Sequence, residues 1–193
     1  MVGRLALSLA VALALTLPAC DRGGAPTREA GKEAMVYHRD CESQVRSGAT
    51  PSDPGRDLAV GPVTFHGIRS AAMGVSFEGR PRAGWAAVKA VTSVEAGAGA
   101  TVSVPEGDRG SMLLIYSDFD SSIRVAGRDT GWFPKSAGHS EVSFGPCKAS
   151  GGDAPAFNGG FLVREPGCYS VEVASRGSTS QSQLGFGVSQ CGS

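Results

Sequence analysis

Three histidines, five cysteines and one acidic run are the residues of this 193-residue chain whose types could carry chemistry. The run Asp118-Phe-Asp120-Ser-Ser122 puts oxygens at the first, third and fifth positions of a calcium loop, and Asp129 falls at the twelfth. Such a loop needs glycine at its sixth position and a bidentate glutamate at its last, where Ile123 and Asp129 stand here. A polar turn after a strand is therefore expected in preference to an ion site, and no cofactor is expected otherwise. His38-Arg-Asp-Cys41 offers a zinc pair only if Cys41 is a thiolate and not half of a disulfide. The Cys-x-His-x-Met loop of a blue-copper site is absent. Neither a Gly-x-Ser-x-Gly elbow nor a Ser-x-x-Lys pair occurs, so His38, His66 and His139 would need the fold to bring a Ser and an Asp to them. In Thr130-Gly-Trp132-Phe133-Pro134, two aromatics sit in a Gly- and Ser-rich loop. Exposed, Trp132 and Phe133 would stack on a sugar or anchor a partner; folded back, they would plug the end of the fold, which is the favoured expectation.

The fifth cysteine raises a different chemistry. Leu5 to Ala19 is uncharged and apolar behind Arg4, and it ends at Cys20. The segment is short for a membrane span but has the basic start, apolar middle and small residue of an export signal. Leu17-Pro18-Ala19-Cys20 resembles the lipobox of bacterial lipoproteins, which implies a diacylglyceryl thioether on Cys20 and cleavage before it; Pro18 departs from the usual small residue. An ordinary cut after Ala19 is the alternative. Parity favours lipidation: committing Cys20 leaves Cys41, Cys147, Cys168 and Cys191, all able to pair in an oxidising compartment.

The elements that must position these residues follow from pattern. Residues 1–19 are the expected signal and 20–35 a polar tether; about 15 flexible residues reach about 20 Å. Residues 36–193 are one domain. With 18 basic and 18 acidic side chains and no charged block, nothing suggests nucleic acid as a partner. Val88, Ala90 and Thr92 alternate with Lys89, Val91 and Ser93; Tyr169, Val171 and Val173 with Ser170, Glu172 and Ala174; Leu184, Phe186 and Val188 with Gly185, Gly187 and Ser189. Period-two alternation marks strands with one buried face. Further strands are expected at Val60 to Gly67, Ala100 to Val104, Ser111 to Ser117, Glu141 to Phe144 and Gly160 to Arg164. Ser111-Met-Leu-Leu-Ile-Tyr-Ser117, apolar on both faces, reads as central. About eight short strands between Gly- and Pro-rich turns indicate an all-β, single antiparallel β-sandwich, Ig-like or cupredoxin-like.

Four cysteines permit three pairings. Strand order suggests Cys147 with Cys168, at the exit of one strand and the entry of another, and Cys41 with Cys191, joining the start of the domain to its end.

Val142-Ser-Phe-Gly-Pro-Cys147, Phe157-Asn-Gly-Gly-Phe-Leu-Val163, Pro166-Gly-Cys168-Tyr-Ser-Val-Glu-Val173 and Leu184-Gly-Phe-Gly-Val-Ser-Gln-Cys191 together resemble uncharacterised exported proteins of actinobacteria. Val60-Gly-Pro62-Val-Thr-Phe65 resembles their first strand region. The resemblance implies an envelope location and disulfides, and no activity. The expectation is a membrane-anchored, extracytoplasmic lipoprotein, a non-catalytic binding or structural module facing an unidentified envelope component. The alternatives are an envelope hydrolase with a dispersed Ser, His and Asp set, or a calcium-dependent module.

Overall fold

A computed structural model describes residues 36–45, 52–116, 132–149 and 153–191. The expected signal, tether and Cys20 lie outside these residues, as do Asp118, Asp120, Ser122 and Asp129 of the calcium reading.

Among the described residues, eleven strands form two sheets. The first contains β1 (Tyr37–Arg39), β8 (Glu141–Phe144), β5 (Ala100–Ser103), β10 (Gly167–Ser175) and β11 (Ser178–Phe186), in that spatial order. The second runs β2 (Leu58–Val60), β3 (Val63–His66), β4 (Trp85–Val94), β9 (Ala156–Val163), β6 (Met112–Ile115), and β7 (Trp132–Phe133) pairs with β4. The all-β sandwich is as expected, with more strands than the eight anticipated. The stretch Val60 to Gly67, read as one strand, is a hairpin: Gly61 and Pro62 turn the chain so that Val60 faces Val63.

Alternation assigns the faces. Val88, Ala90 and Thr92 on β4, Val63 and Phe65 on β3, and Phe157, Phe161 and Val163 on β9 point inward and are buried. From the first sheet, Val102, Val142, Phe144, Tyr169, Val171, Val173, Leu184 and Phe186 meet them. Phe161 tilts against Phe186 at 5.7 Å and Phe144 against Phe157 at 4.9 Å, so aromatic pairs join the layers. A short helix, α1 (Ile68–Met73), buries Ile68 and Ala72 and packs against both β4 and β11.

Two expectations change here. The segment through Ser111 to Ser117 contains β6, which is an edge strand and not a central one. It is apolar on both faces because a second cluster, Trp85, Leu113, Ile115, Phe133 and Leu162, covers the outer side of the sheet around β6 and the start of β4. His139 also closes the edge, exchanging both backbone hydrogen bonds with Leu114 at 2.8 and 2.7 Å. Covering an exposed ladder in this way blocks pairing with another chain. One strand pair departs from the antiparallel pattern: β1 runs parallel to β8.

That parallel pair corrects the disulfides. Parallel strands leave a sheet at the same end, so Cys41, just past β1, meets Cys147, just past β8, and the Gly145 N–H donates to Arg39 O at 3.0 Å between them. The bridges are Cys41–Cys147 and Cys168–Cys191. The expected Cys147–Cys168 pair fails because β5 lies between β8 and β10, placing those strands roughly 10 Å apart, beyond the reach of a disulfide. Cys41–Cys191 fails with it: after β11 the chain folds back so that Cys191 reaches Cys168 at the start of the neighbouring β10.

Candidate functional site

The outer face of the second sheet holds the one Ser–His–Asp convergence among the described contacts. Alternation on β3 turns Thr64 and His66 outward while Val63 and Phe65 enter the core. On β4 it turns Ser93 outward between buried Thr92 and Val94. In the β3–β4 register Thr64 stands opposite Ser93 and His66 opposite Val91, so His66 and Ser93 are diagonal neighbours. Their side chains meet, with His66 Nε2 2.8 Å from Ser93 Oγ. On the other edge of the ring, His66 Nδ1 lies 3.1 Å from Asp57 Oδ2.

Asp57 precedes β2 and is only 6% exposed. Its carboxylate accepts from the backbone N–H of Gly67 at 2.7 Å and of Asp53 at 2.9 Å. Gly67 has φ of +68°, a conformation that glycine adopts without a Cβ penalty and that aims its N–H at Asp57. Burial by itself would raise the Asp57 pKa, but the two backbone donors and His66 outweigh it and hold the carboxyl below its ordinary value. An ionised carboxylate only accepts, so it selects the His66 tautomer that carries its hydrogen on Nδ1 and leaves Nε2 to accept from the Ser93 hydroxyl.

The same loop fastens α1. Arg69 Nε donates to Asp57 O at 2.8 Å, and Arg69 N to Arg56 O at 2.9 Å. Beyond it lies an open cleft of about 550 Å³ whose walls include Gly55, Arg69, Met73, Gln183, Val188 and Gln190. Met73, 56% exposed, is the large apolar side chain most open to solvent among the described residues. The Cys168–Cys191 bridge holds the returning chain that forms one side, since Cys191 also lines the cleft.

The other histidines are engaged elsewhere. His38 Nδ1 pairs with Ser143 Oγ across β1 and β8. His139 stacks on Tyr37 with ring centroids 4.5 Å apart, and burial lowers its pKa. The zinc reading of His38 and Cys41 ends at the Cys41–Cys147 disulfide, which removes the thiolate. Among the described residues no group of three or more His, Cys, Asp and Glu side chains is placed to hold a metal.

The aromatic loop is likewise relocated. Phe133, 5% exposed, belongs to the cluster with Trp85, Leu113, Ile115 and Leu162, and Trp132 is half-buried opposite Ala86 in the β4–β7 pair. Phe133 is thus packing and not a projecting anchor, and it covers part of the outer face of a sheet where an end plug was expected. Sequence reading did not single out Asp57, Ser93 or the cleft. Residues 57, 66 and 93 have no motif spacing; the signal that could have found two of them is the polar set of the β3 and β4 alternation, which holds His66 and Ser93.

These features define a disulfide-braced β-sandwich with a Ser–His–Asp hydrogen-bond chain on one sheet and a cleft of mixed polar and apolar lining beside its helix. No family model, curated protein or solved structure matches the chain.

Proposed function

We propose that the chain is an extracytoplasmic lipoprotein, held at the membrane by a diacylglyceryl group on Cys20, whose β-sandwich serves as a ligand-binding module of the cell envelope. The observation that carries this reading is the use of its sulfurs. Cys41–Cys147 and Cys168–Cys191 occupy four of the five cysteines, and the fifth stands at the end of the apolar N-terminal segment. Two disulfides suit an oxidising compartment outside the cytoplasm, where an unpaired fifth thiol would be a liability.

The cleft beside α1 is the ligand-facing feature of this reading. It combines one guanidinium, from Arg69, with the amides of Gln183 and Gln190 and the apolar surface of Met73 and Val188. A few placed polar groups on a partly apolar wall suit a small molecule carrying an acidic group and an apolar part.

The test is intact-mass analysis of the mature protein from the membrane fraction. The expected mass is that of a chain beginning at Cys20 with an added diacylglyceryl group, and Cys20→Ala should abolish the modification and release the protein from membranes. An unmodified N-terminus at Cys20 overturns the anchor. For the cleft, ligand-observed NMR against a set of small carboxylates should show binding that Arg69→Ala and Met73→Asp both weaken, and no difference between these variants and the parent overturns that assignment.

A further inference from the structure

We propose that Ser93 is an activated nucleophile, with His66 as its general base and Asp57 as the group that orients His66, and that this site takes acyl groups from small activated esters. The inference goes beyond the binding role and does not depend on the anchor or the cleft.

A serine hydroxyl is a poor nucleophile unless a base within hydrogen-bond reach removes its proton as it attacks. His66 Nε2 is 2.8 Å from Ser93 Oγ, which meets that condition. The base must also be held in the right tautomer, and Asp57 Oδ2 at 3.1 Å from Nδ1 does this. Asp57 is itself immobilised by the Gly67 and Asp53 N–H groups, so the relay is anchored to backbone at its buried end. At its other end it opens outward: Ser93 is only partly buried, and the His66 side chain is 17% exposed.

The setting decides which substrates are plausible. Ser93 lies near the end of β4 but within the sheet, paired with Thr64 on one side and Ala156 on the other, unlike a serine on a sharp turn with neighbouring backbone N–H groups turned to the reaction. Donors for a developing oxyanion would come from side chains on the same face. Thr64 stands directly across from Ser93, and Asn158 stands across from Val91 one step along. Side-chain donors are less preorganised than backbone ones, so the substrates that fit are esters with good leaving groups rather than amides.

The step balances without a cofactor. Ser93 Oγ bonds to the carbonyl carbon while its proton passes to His66 Nε2 and the carbonyl electron pair moves onto oxygen. Collapse of that intermediate breaks the bond to the leaving alkoxide or phenoxide, which takes the proton from Nε2. Water then attacks the acyl-serine through the same base, releasing a carboxylic acid and restoring Ser93.

The experiment uses the full mature chain with disulfides intact and a fluorophosphonate probe, followed by intact-mass and peptide mass spectrometry. One phosphonyl group should appear on Ser93, its rate falling about a hundredfold in His66→Gln, within the range a positioned base supplies. Ser93→Ala should lose the label. Because His66→Gln could perturb folding, a second pair covers that case. Ser93→Cys should be alkylated by iodoacetamide faster than the same cysteine in a Ser93→Cys, His66→Gln chain with an unchanged near-ultraviolet circular-dichroism spectrum. A folded parent protein that stays unlabelled, a label on another residue, or a Ser93 rate indifferent to His66→Gln would each overturn the proposal.

Discussion

The two disulfides close loops of very different size, and their removal should cost different amounts. Cys41–Cys147 spans 106 residues and Cys168–Cys191 spans 23. In the chain-entropy treatment the larger loop restricts the unfolded chain by about 4.8 kcal/mol and the smaller by about 3.4 kcal/mol. The difference, about 1.4 kcal/mol, is about tenfold in the unfolding equilibrium. Packing widens the gap, since Cys147 is 2% exposed and belongs to the core between the sheets, whereas Cys168 is exposed. The perturbation is the paired substitution Cys41→Ala with Cys147→Ala, set against Cys168→Ala with Cys191→Ala. Urea unfolding followed by the fluorescence of Trp85 and Trp132 reads the result. With a slope of about 2 kcal/mol per molar urea, the midpoints should fall by about 2.4 M and about 1.7 M respectively. A loss from the Cys168/Cys191 variant equal to or greater than that from the Cys41/Cys147 variant would refute the reasoning. Single substitutions give an independent check on connectivity: in Cys41→Ala the thiol newly open to alkylation after denaturation should be Cys147.

Three further outcomes follow from the packing and the buried charge. Gly160 has φ of +153°, and a Cβ there would lie 2.0 Å from Val88 O in the adjoining strand, so Gly160→Ala should destabilise by about 3 kcal/mol or more and weaken amide protection along β4 and β9 in hydrogen exchange. Phe133→Ala should cost about 3 kcal/mol in a thermal or urea melt, as expected for emptying a buried aromatic site, while Trp132→Ala should cost less. Asp57→Asn should cost about 2 kcal/mol at neutral pH, because one amide oxygen replaces a carboxylate accepting from three donors. The folded-state pKa of Asp57 is held below the ordinary value of about 3.9, so its contribution is fully present above that pH and disappears as pH falls through the folded value. Melting temperatures of parent and Asp57→Asn should therefore converge under strong acid, and a gap that stays constant from neutral pH downward would contradict the linkage.

The features readable along the chain are those that depend on neighbours in sequence. Alternation at Val88, Ala90 and Thr92, at Tyr169, Val171 and Val173, and at Leu184 and Phe186 identified strands and their inward faces, because side chains two residues apart share a face in any strand. That Cys41, Cys147, Cys168 and Cys191 would pair was also legible, from an odd count of five in which Cys20 stands apart at the end of the apolar N-terminal segment. Sheet order and register were not, since they join residues far apart in sequence through backbone hydrogen bonds that every residue type can make. That is why the parallel β1–β8 pair, and with it Cys41–Cys147, contradicted a pairing inferred from strand succession. The same applies to β6: an apolar run on both faces reports burial, and the tertiary structure supplied that burial at a sheet edge through Phe133 and its neighbours. Asp57, His66 and Ser93 are the extreme case. Each is locally an ordinary polar residue, and only the β3–β4 register and the folding of the 53–57 segment against Gly67 bring the three within hydrogen-bond distance.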